Sequence, residues 1–290
     1  MALLYEKTAD NSIEITGYEG TIRHLAVPEE IGGLTVERIG KNAFSGRADL
    51  ESVQLPHTIR VLGRYAFYNC KNLKSIAVYD SVEDYYDGVI KQCHSLEEVT
   101  LTQTRADYSI MKELLADTDR KLHFWILLQE LSLTFPAYVY NFVEDVEARV
   151  LHHKIEGSGY PYRECVTRKG VDLLAYDRLF LQAVNDDYHT AIEIACNRLM
   201  HPAELEDHLR EPYEQYLEQN AKVVLEELIG KDRLEEISYL CEACLVPEAA
   251  LPDALYLASE QKKSQITAVL MEYQRQHFGR KKAQSMTLDW

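Results

Sequence analysis

The residues best suited to chemistry fall in two places. The first is the stretch His152-His153-Lys154-Ile155-Glu156-Gly157-Ser158-Gly159-Tyr160-Pro161-Tyr162-Arg163-Glu164-Cys165, which gathers imidazoles, phenols, a guanidinium and a thiol. Imidazole and thiolate together would suit a zinc or iron ion. Adjacent histidines on a helix, however, point about 100° apart and do not easily chelate one ion. Gly157-Ser158-Gly159 lacks the third glycine and the strand-to-helix setting of a dinucleotide loop, and no Gly-Lys-Ser/Thr follows to make a phosphate cradle. The stretch therefore reads as a domain linker. Its competitor is an enzymatic or metal-dependent site through His152, His153, Tyr160, Tyr162, Arg163 and Cys165.

The second place is Cys241-Glu-Ala-Cys244, a lone Cys-x-x-Cys without a second pair. Leu234, Ile237, Leu240 and Leu245 set both thiols on or beside an apolar helical stripe, which favours core packing over redox or zinc chemistry. A Gly-x-Ser-x-Gly elbow and a recognisable cysteine-nucleophile signature are both missing, so no catalytic residue is nominated. No cofactor and no metal are expected.

Composition narrows the field further. The chain has 290 residues, 46% hydrophobic and 27% charged, which fits two folded modules. A formal net charge of −16 repels phosphate backbones and anionic lipid headgroups, so neither nucleic acid nor a membrane is an expected partner. Both parts share the excess: residues 1–101 carry 10 Lys/Arg against 15 Asp/Glu. The cationic run Arg280–Lys282 reads as a solvated tail. Ala2, Leu3 and Leu4 are too few for the apolar core of a secretory signal, and no window approaches the ~18 apolar residues of a membrane span. A cytoplasmic location is the default expectation, with surface or secreted placement if a leader was removed. The six cysteines are then reduced.

Sliding the sequence on itself by 23 residues aligns residues 39–101 in columns. Leu50, Leu73 and Leu96 share one; Val53, Ile76 and Val99 another; Leu55, Val78 and Leu101 a third. Phe44, Phe67 and Ile90 align, as do Ala43, Ala66 and Val89, and Cys70 with Cys93. An earlier coil joins if Gly32–Val36 is an insertion, for then Leu25, Val27 and Pro28 match Val53, Leu55 and Pro56. Each coil begins with a short alternating strand such as Val53-Gln54-Leu55, whose apolar side chains are buried only when a neighbouring coil covers them. His24, Ala26, Ser52, Gln54, Ser75, Ala77, Glu98 and Thr100 leave the sheet on its other face. Of these, His24, Ser52, Gln54, Ser75, Glu98 and Thr100 are the candidate partner-binding residues.

The run Leu50-Glu-Ser-Val-Gln-Leu-Pro56, with Leu62-Gly63, Ala66-Phe67, Asn69-Cys70 and Leu73, closely resembles the leucine-rich repeat of the BspA-like bacterial surface-antigen type. The lead-in Ile15-Thr16-Gly17-Tyr18-Glu19-Gly20 looks similar to that of the same family. The resemblance implies a right-handed solenoid with a parallel sheet, used as a protein-binding or adhesive surface. In the third coil Tyr85, Val89 and Ile90 depart from the pattern, so that coil is expected to be distorted or to act as an end cap.

After Leu101 the register is lost. Arg105–Ala116 has helical spacing; Leu122, Phe124 and Ile126, then Leu131, Leu133 and Phe135, alternate as a β-hairpin that would cover the solenoid's open end; residues 137–154 look helical. Helices are expected over Asp172–Val184, Tyr188–Met200, Tyr213–Ile229, Asp232–Leu245, Pro252–Glu260 and Ser264–His277, with Pro202, Pro212, Pro247 and Pro252 at starts or loops. A spacing of about 30 residues between helix pairs suggests a repeat. Ala254–Glu260 followed by Ile266–Tyr273 resembles the two helices of an ankyrin repeat, without its Thr-Pro-Leu-His signature. Glu204–Glu236 holds 11 acidic and 4 basic residues, a solvated face or a docking patch for a basic partner. The reading is an α+β chain: a short leucine-rich-repeat solenoid at 1–105, a cap and linker at 106–168, and an ankyrin-like helical solenoid at 169–290, acting as a non-catalytic scaffold for an unknown protein.

Overall fold

The structure, a computed structural model, describes residues 2–145 and 150–279, and their side chains except those of 142–154. The chain divides into two compact units, Met1–Thr190 and Ala191–Trp290.

The first unit begins with β1 (Ala2–Lys7), β2 (Ile13–Glu19), β3 (His24–Ala26), β4 (Glu30–Ile31), β5 (Leu34–Ile39), β6 (Ser52–Gln54), β7 (Val61–Leu62), β8 (Ser75–Tyr79), β9 (Asp84–Tyr85) and β10 (Glu98–Thr102). Helix α1 (Ser109–Ala116), β11 (Leu122–Ile126) and β12 (Leu131–Phe135) follow. Two sheets result. One has the order β12-β11-β10-β8-β6-β3, and the other β1-β2-β5-β7-β9 with β4 on β5. In the first, β3, β6, β8, β10 and β11 are all parallel and β12 is antiparallel.

The 23-residue columns become ladders. Leu25 pairs with Val53, Val53 with Ile76, Ile76 with Val99, and all four are buried. Behind them Phe44 stacks on Phe67 with centroids 5.1 Å apart, and Tyr18 meets Phe44 at 5.7 Å. Even the backbone repeats: Asn42, Tyr65 and Gly88 have left-handed φ at 23-residue intervals, as do Gly46, Asn69 and Gln92. Gly63 is set by close approach, because a Cβ there would lie 2.8 Å from the Ile39 carbonyl of the preceding coil.

The third coil is not the end of the stack. β11 adds in parallel to β10, pairing Val99 with Phe124 and Leu101 with Ile126. The step from Val99 to Phe124 is 25 residues because α1 replaces the extended back segment, which is why a fixed 23-residue register misses it. The hairpin is present as expected, but it lengthens the sheet, and β12, running antiparallel, ends the parallel stack.

Buried carboxylates satisfy the loop N–H groups that no sheet reaches. Asp80 is 3% exposed and accepts the N–H groups of Thr104 (2.7 Å), Arg105 (2.6 Å) and Asp107 (3.4 Å) and the Thr104 hydroxyl (2.7 Å). Burial pushes its pKa up, but the hydrogen bonds from Arg105 and Thr104 outweigh that and hold it below the usual carboxylate value. A carboxyl with a depressed folded pKa contributes stability above its unfolded pKa of about 3.9, and loses it as pH falls through the folded value. Asp80→Asn should therefore lower stability at neutral pH by about 1 to 3 kcal/mol. The difference from wild type should shrink below about pH 4, as read by urea unfolding at pH 7 and pH 3.

Within the span 137–154, where a helix is expected, the described residues from Val139 onward form strands instead. β13 (Val139–Asp145) and β14 (Val150–Glu156) pair antiparallel, in keeping with the β-branched and aromatic residues Val139, Tyr140, Phe142, Val143, Val150 and Ile155. Nor is the glycine-containing stretch a linker: Gly159–Glu164 is a helix, α2, whose Tyr162 and Arg163 are buried. It leads into β15 (Val166–Thr167), β16 (Gly170–Val171), α3 (Leu173–Arg178) and α4 (Phe180–Asp186). The single helix expected over 172–184 is thus two.

Helix α5 (Tyr188–Met200) has the expected bounds and carries the boundary between the units. α6 (Asp207–Gln219), α7 (Ala221–Gly230), α8 (Leu234–Glu242), α9 (Leu251–Glu260) and α10 (Ser264–His277) follow. The helix expected over 213–229 breaks at Asn220, whose side-chain amide donates to the Tyr216 carbonyl at 2.8 Å and closes α6. Pro212 lies inside α6 rather than in a loop. The 30-residue period is explicit. Arg233 N–H donates to Leu228 O and Lys263 N–H to Ala258 O, both at 2.9 Å, and Asp232 and Lys262 are both left-handed, with φ of 60° and 59°. At positions where α7–α8 buries Ile229 and Ile237, α9–α10 carries the exposed Ser259 and the half-buried Thr267. Arg280–Lys282 lies outside the described residues.

Candidate interaction surface

Parallel pairing in register sets side chains of neighbouring strands side by side in rows. One row on the outward face of the six-stranded sheet is His24, Ser52, Ser75, Glu98 and His123. The next is Ala26, Gln54, Ala77, Thr100 and Trp125. All six candidate residues thus lie on one face: His24, Gln54 and Glu98 are exposed, and Ser52, Ser75 and Thr100 half-buried. β12 closes the surface, because Ser132 and Thr134 are buried and the Tyr176 hydroxyl donates to the Thr134 carbonyl at 2.6 Å.

The centre of this face is a shelf of small neutral side chains, Ser52, Ser75, Ala77 and Thr100. The His24 ring bonds Ser52 Oγ at 2.9 Å, and His123 Nε2 bonds Ser132 Oγ at 2.8 Å. Along one margin Glu51 pairs with both Arg23 at 3.3 Å and Lys74 at 3.6 Å. Along the other, His57 lies edge-on to Tyr79 with centroids 6.1 Å apart. His123 and Trp125 are the residues that sequence reasoning omitted. Their alternation with Leu122, Phe124 and Ile126 was the available signal.

The other sequence-nominated cluster has a structural task. Arg163 Nε donates to Leu115 O (3.2 Å), Nη1 to Pro136 O (2.5 Å) and Gly159 O (2.9 Å), and Nη2 to Thr118 O (3.3 Å) and Arg120 O (2.6 Å). Burial pulls its pKa down to about 10, which leaves it cationic at neutral pH. Tyr162 is fully buried, edge-on to Tyr176 at 4.7 Å. Burial pushes the Cys165 thiol up to about 11, so it stays protonated. Tyr160 is exposed and packs edge-on against Tyr138. His152 and His153 are successive residues of β14 rather than of a helix; their side chains lie outside the described residues. Cys241 is buried at the end of α8, and desolvation with the neighbouring Cys244 pushes its pKa up to about 12. Among the described residues no group of three or more His, Cys, Asp or Glu side chains could hold a metal ion, and no helix is long and apolar enough to cross a membrane.

Residues 25–124 match the family model described as the BspA type leucine rich repeat region, in six copies. The solenoid of the first unit is accordingly a leucine-rich repeat of BspA type, and the matched span takes in β11, beyond the last coil visible in the 23-residue register. No curated protein matches the chain. Among solved structures, a leucine rich repeat protein of T. pallidum is 29% identical over 34% of this chain and 50% of its own, with a TM-score of 0.33. A leucine rich cell surface protein of Faecalibacterium prausnitzii A2-165 is 29% identical over 34% and 30%, with a TM-score of 0.29. A leucine-rich repeat protein of Bacteroides ovatus ATCC 8483 is 23% identical over 35% and 30%, with a TM-score of 0.31. The aligned part of this chain spans at most half the length of these proteins.

Proposed function

We propose that this protein is a non-catalytic interaction scaffold that binds another protein through the outward face of its leucine-rich-repeat sheet. The observation that carries the reading is the pair of in-register rows across five strands, ending on Trp125. A small-residue shelf admits a partner closely, and a half-buried tryptophan at its edge supplies a large rigid anchor of the kind that dominates binding energy. His24, Ser52, Gln54, Ser75, Glu98 and Thr100 form the remainder of the contact. The helical repeat beyond residue 190 supports an ankyrin-like reading, and with it a second recognition surface. The recognition solenoid of this reading runs past residue 105 through β11, and its helical array is the unit from Ala191. A cytoplasmic setting, in which the six cysteines stay reduced, belongs to this reading.

The test compares specific capture by wild type, Trp125→Ala, and a face-blocked Ser75→Arg/Thr100→Arg variant, each checked by circular dichroism. Trp125→Ala should weaken binding at least tenfold, about 1.4 kcal/mol, and the blocked variant should lose it. Equal capture by all three would remove the sheet face from the reading.

A further inference from the structure

Cys70 and Cys93 stand 23 residues apart, one coil from each other. The hydrogen bonds Phe67 N–H to Val89 O (2.8 Å) and Asn69 N–H to Lys91 O (2.9 Å) fix the register of their two turns. Neighbouring backbones in such a ladder lie about 5 Å apart. A disulfide needs Cα atoms about 4.4 to 6.8 Å apart. Their turns have the same form, Cys70 N–H donating to Phe67 O at 3.2 Å and Cys93 N–H to Ile90 O at 3.1 Å, so the two Cα–Cβ bonds run side by side. Both thiols are free.

Oxidation would strand no buried acceptor. Cys70 Sγ donates to Phe44 O at 3.1 Å and Cys93 Sγ to Phe67 O at 3.0 Å. Those carbonyls also accept the N–H groups of Arg47 and Cys70, each at 3.2 Å, and so remain bonded when the thiols turn away.

We propose that Cys70 and Cys93 are a latent cross-linking site, at which a small-molecule disulfide oxidant joins two consecutive coils of the solenoid. One thiolate attacks a sulfur of oxidised glutathione and releases a first reduced glutathione, leaving a mixed disulfide. The second thiolate attacks the protein-side sulfur and expels the other glutathione. Two electrons and two protons pass from the cysteine pair to the glutathione disulfide. The exchange runs while the coils are open during folding, since Cys70 is 0% and Cys93 6% exposed once folded. The bond closes a loop that in the unfolded chain is otherwise unconstrained.

The experiment refolds the full chain from guanidinium with oxidised glutathione or with dithiothreitol, quenches in acid, alkylates and digests with trypsin. Cleavage after Arg64, Lys71, Lys91 and Arg105 puts the two cysteines on separate peptides, Tyr65–Lys71 and Gln92–Arg105. The proposal expects these joined in the oxidised sample, two hydrogens below the sum of their masses. The thermal midpoint should lie several degrees above that of the reduced protein, and Cys93→Ala should abolish both signals. Peptides recovered separately, alkylated or carrying glutathione, would overturn it. So would pairing of either cysteine with Cys165, Cys196, Cys241 or Cys244 in comparable yield, or a cross-link that lowers the midpoint. The peptide map decides even if Cys93→Ala fails to fold.

Discussion

Replacing Arg163 with methionine should lower the unfolding free energy of the first unit by about 4 kcal/mol or more, among the largest single-site losses in the protein. The side chain is 8% exposed, and its five acceptors are all main-chain carbonyls, those of Leu115, Thr118, Arg120, Pro136 and Gly159. They come from the end of α1, the loop before β11, the residue after β12 and the start of α2. A hydrogen bond to a charged donor contributes about 1.5 to 3 kcal/mol, and a buried carbonyl left without a donor costs about 1 to 3. Because the five act as one unit their losses do not simply add. The guanidinium also lies over the Tyr138 ring, 4.8 Å from its centroid, a contact that methionine does not replace. Arg163→Lys should recover only part of the loss: three ammonium donors on one atom cannot reach acceptors spread around a planar fork. Urea unfolding followed by Trp125 fluorescence, in a Trp290→Phe background, checks both variants. A loss below about 1 kcal/mol for methionine would mean that water replaces the guanidinium at most of these carbonyls.

Arg163 also marks the limit of what could be read from the chain. The coils were legible because a 23-residue period, a two-residue strand alternation and a buried aromatic column all report the same register, and Val53, Ile76 and Val99 pair as the columns imply. The outward rows follow from that register, since one face of a strand fixes the other. β11 was recognised as a strand but not as part of the stack, because α1 adds two residues to its coil and moves Phe124 out of column. The paired strands β13 and β14 read from the sequence as a helix, because Val139, Phe142, Val143 and Val150 also fit a 3.6-residue period. Arg163 drew attention as a chemical group, and its actual task had no signature. Four of its five acceptors lie 27 to 48 residues away in sequence and are main-chain atoms, which every residue type supplies equally.

Phe67→Ala should cost about 3 to 5 kcal/mol, and Phe67→Leu appreciably less, because leucine retains much of the buried volume. Phe67 is 0% exposed, stacked on Phe44 at 5.1 Å, while its carbonyl holds the Cys93 thiol at 3.0 Å and its N–H donates to Val89 O at 2.8 Å. The ring therefore packs toward the preceding coil, and its backbone ties the following one. In a solenoid each coil is stabilised by its neighbours alone, so a cavity here weakens two interfaces at once. The ring contact itself is separable from lost volume by a double-mutant cycle with Phe44→Ala. Residues in contact should show a coupling of about 0.5 to 1.5 kcal/mol, whereas independent sites add to within about 0.5. Additivity within that margin would show that burial of each ring separately, with no contribution from the Phe44–Phe67 pair, stabilises the aromatic column.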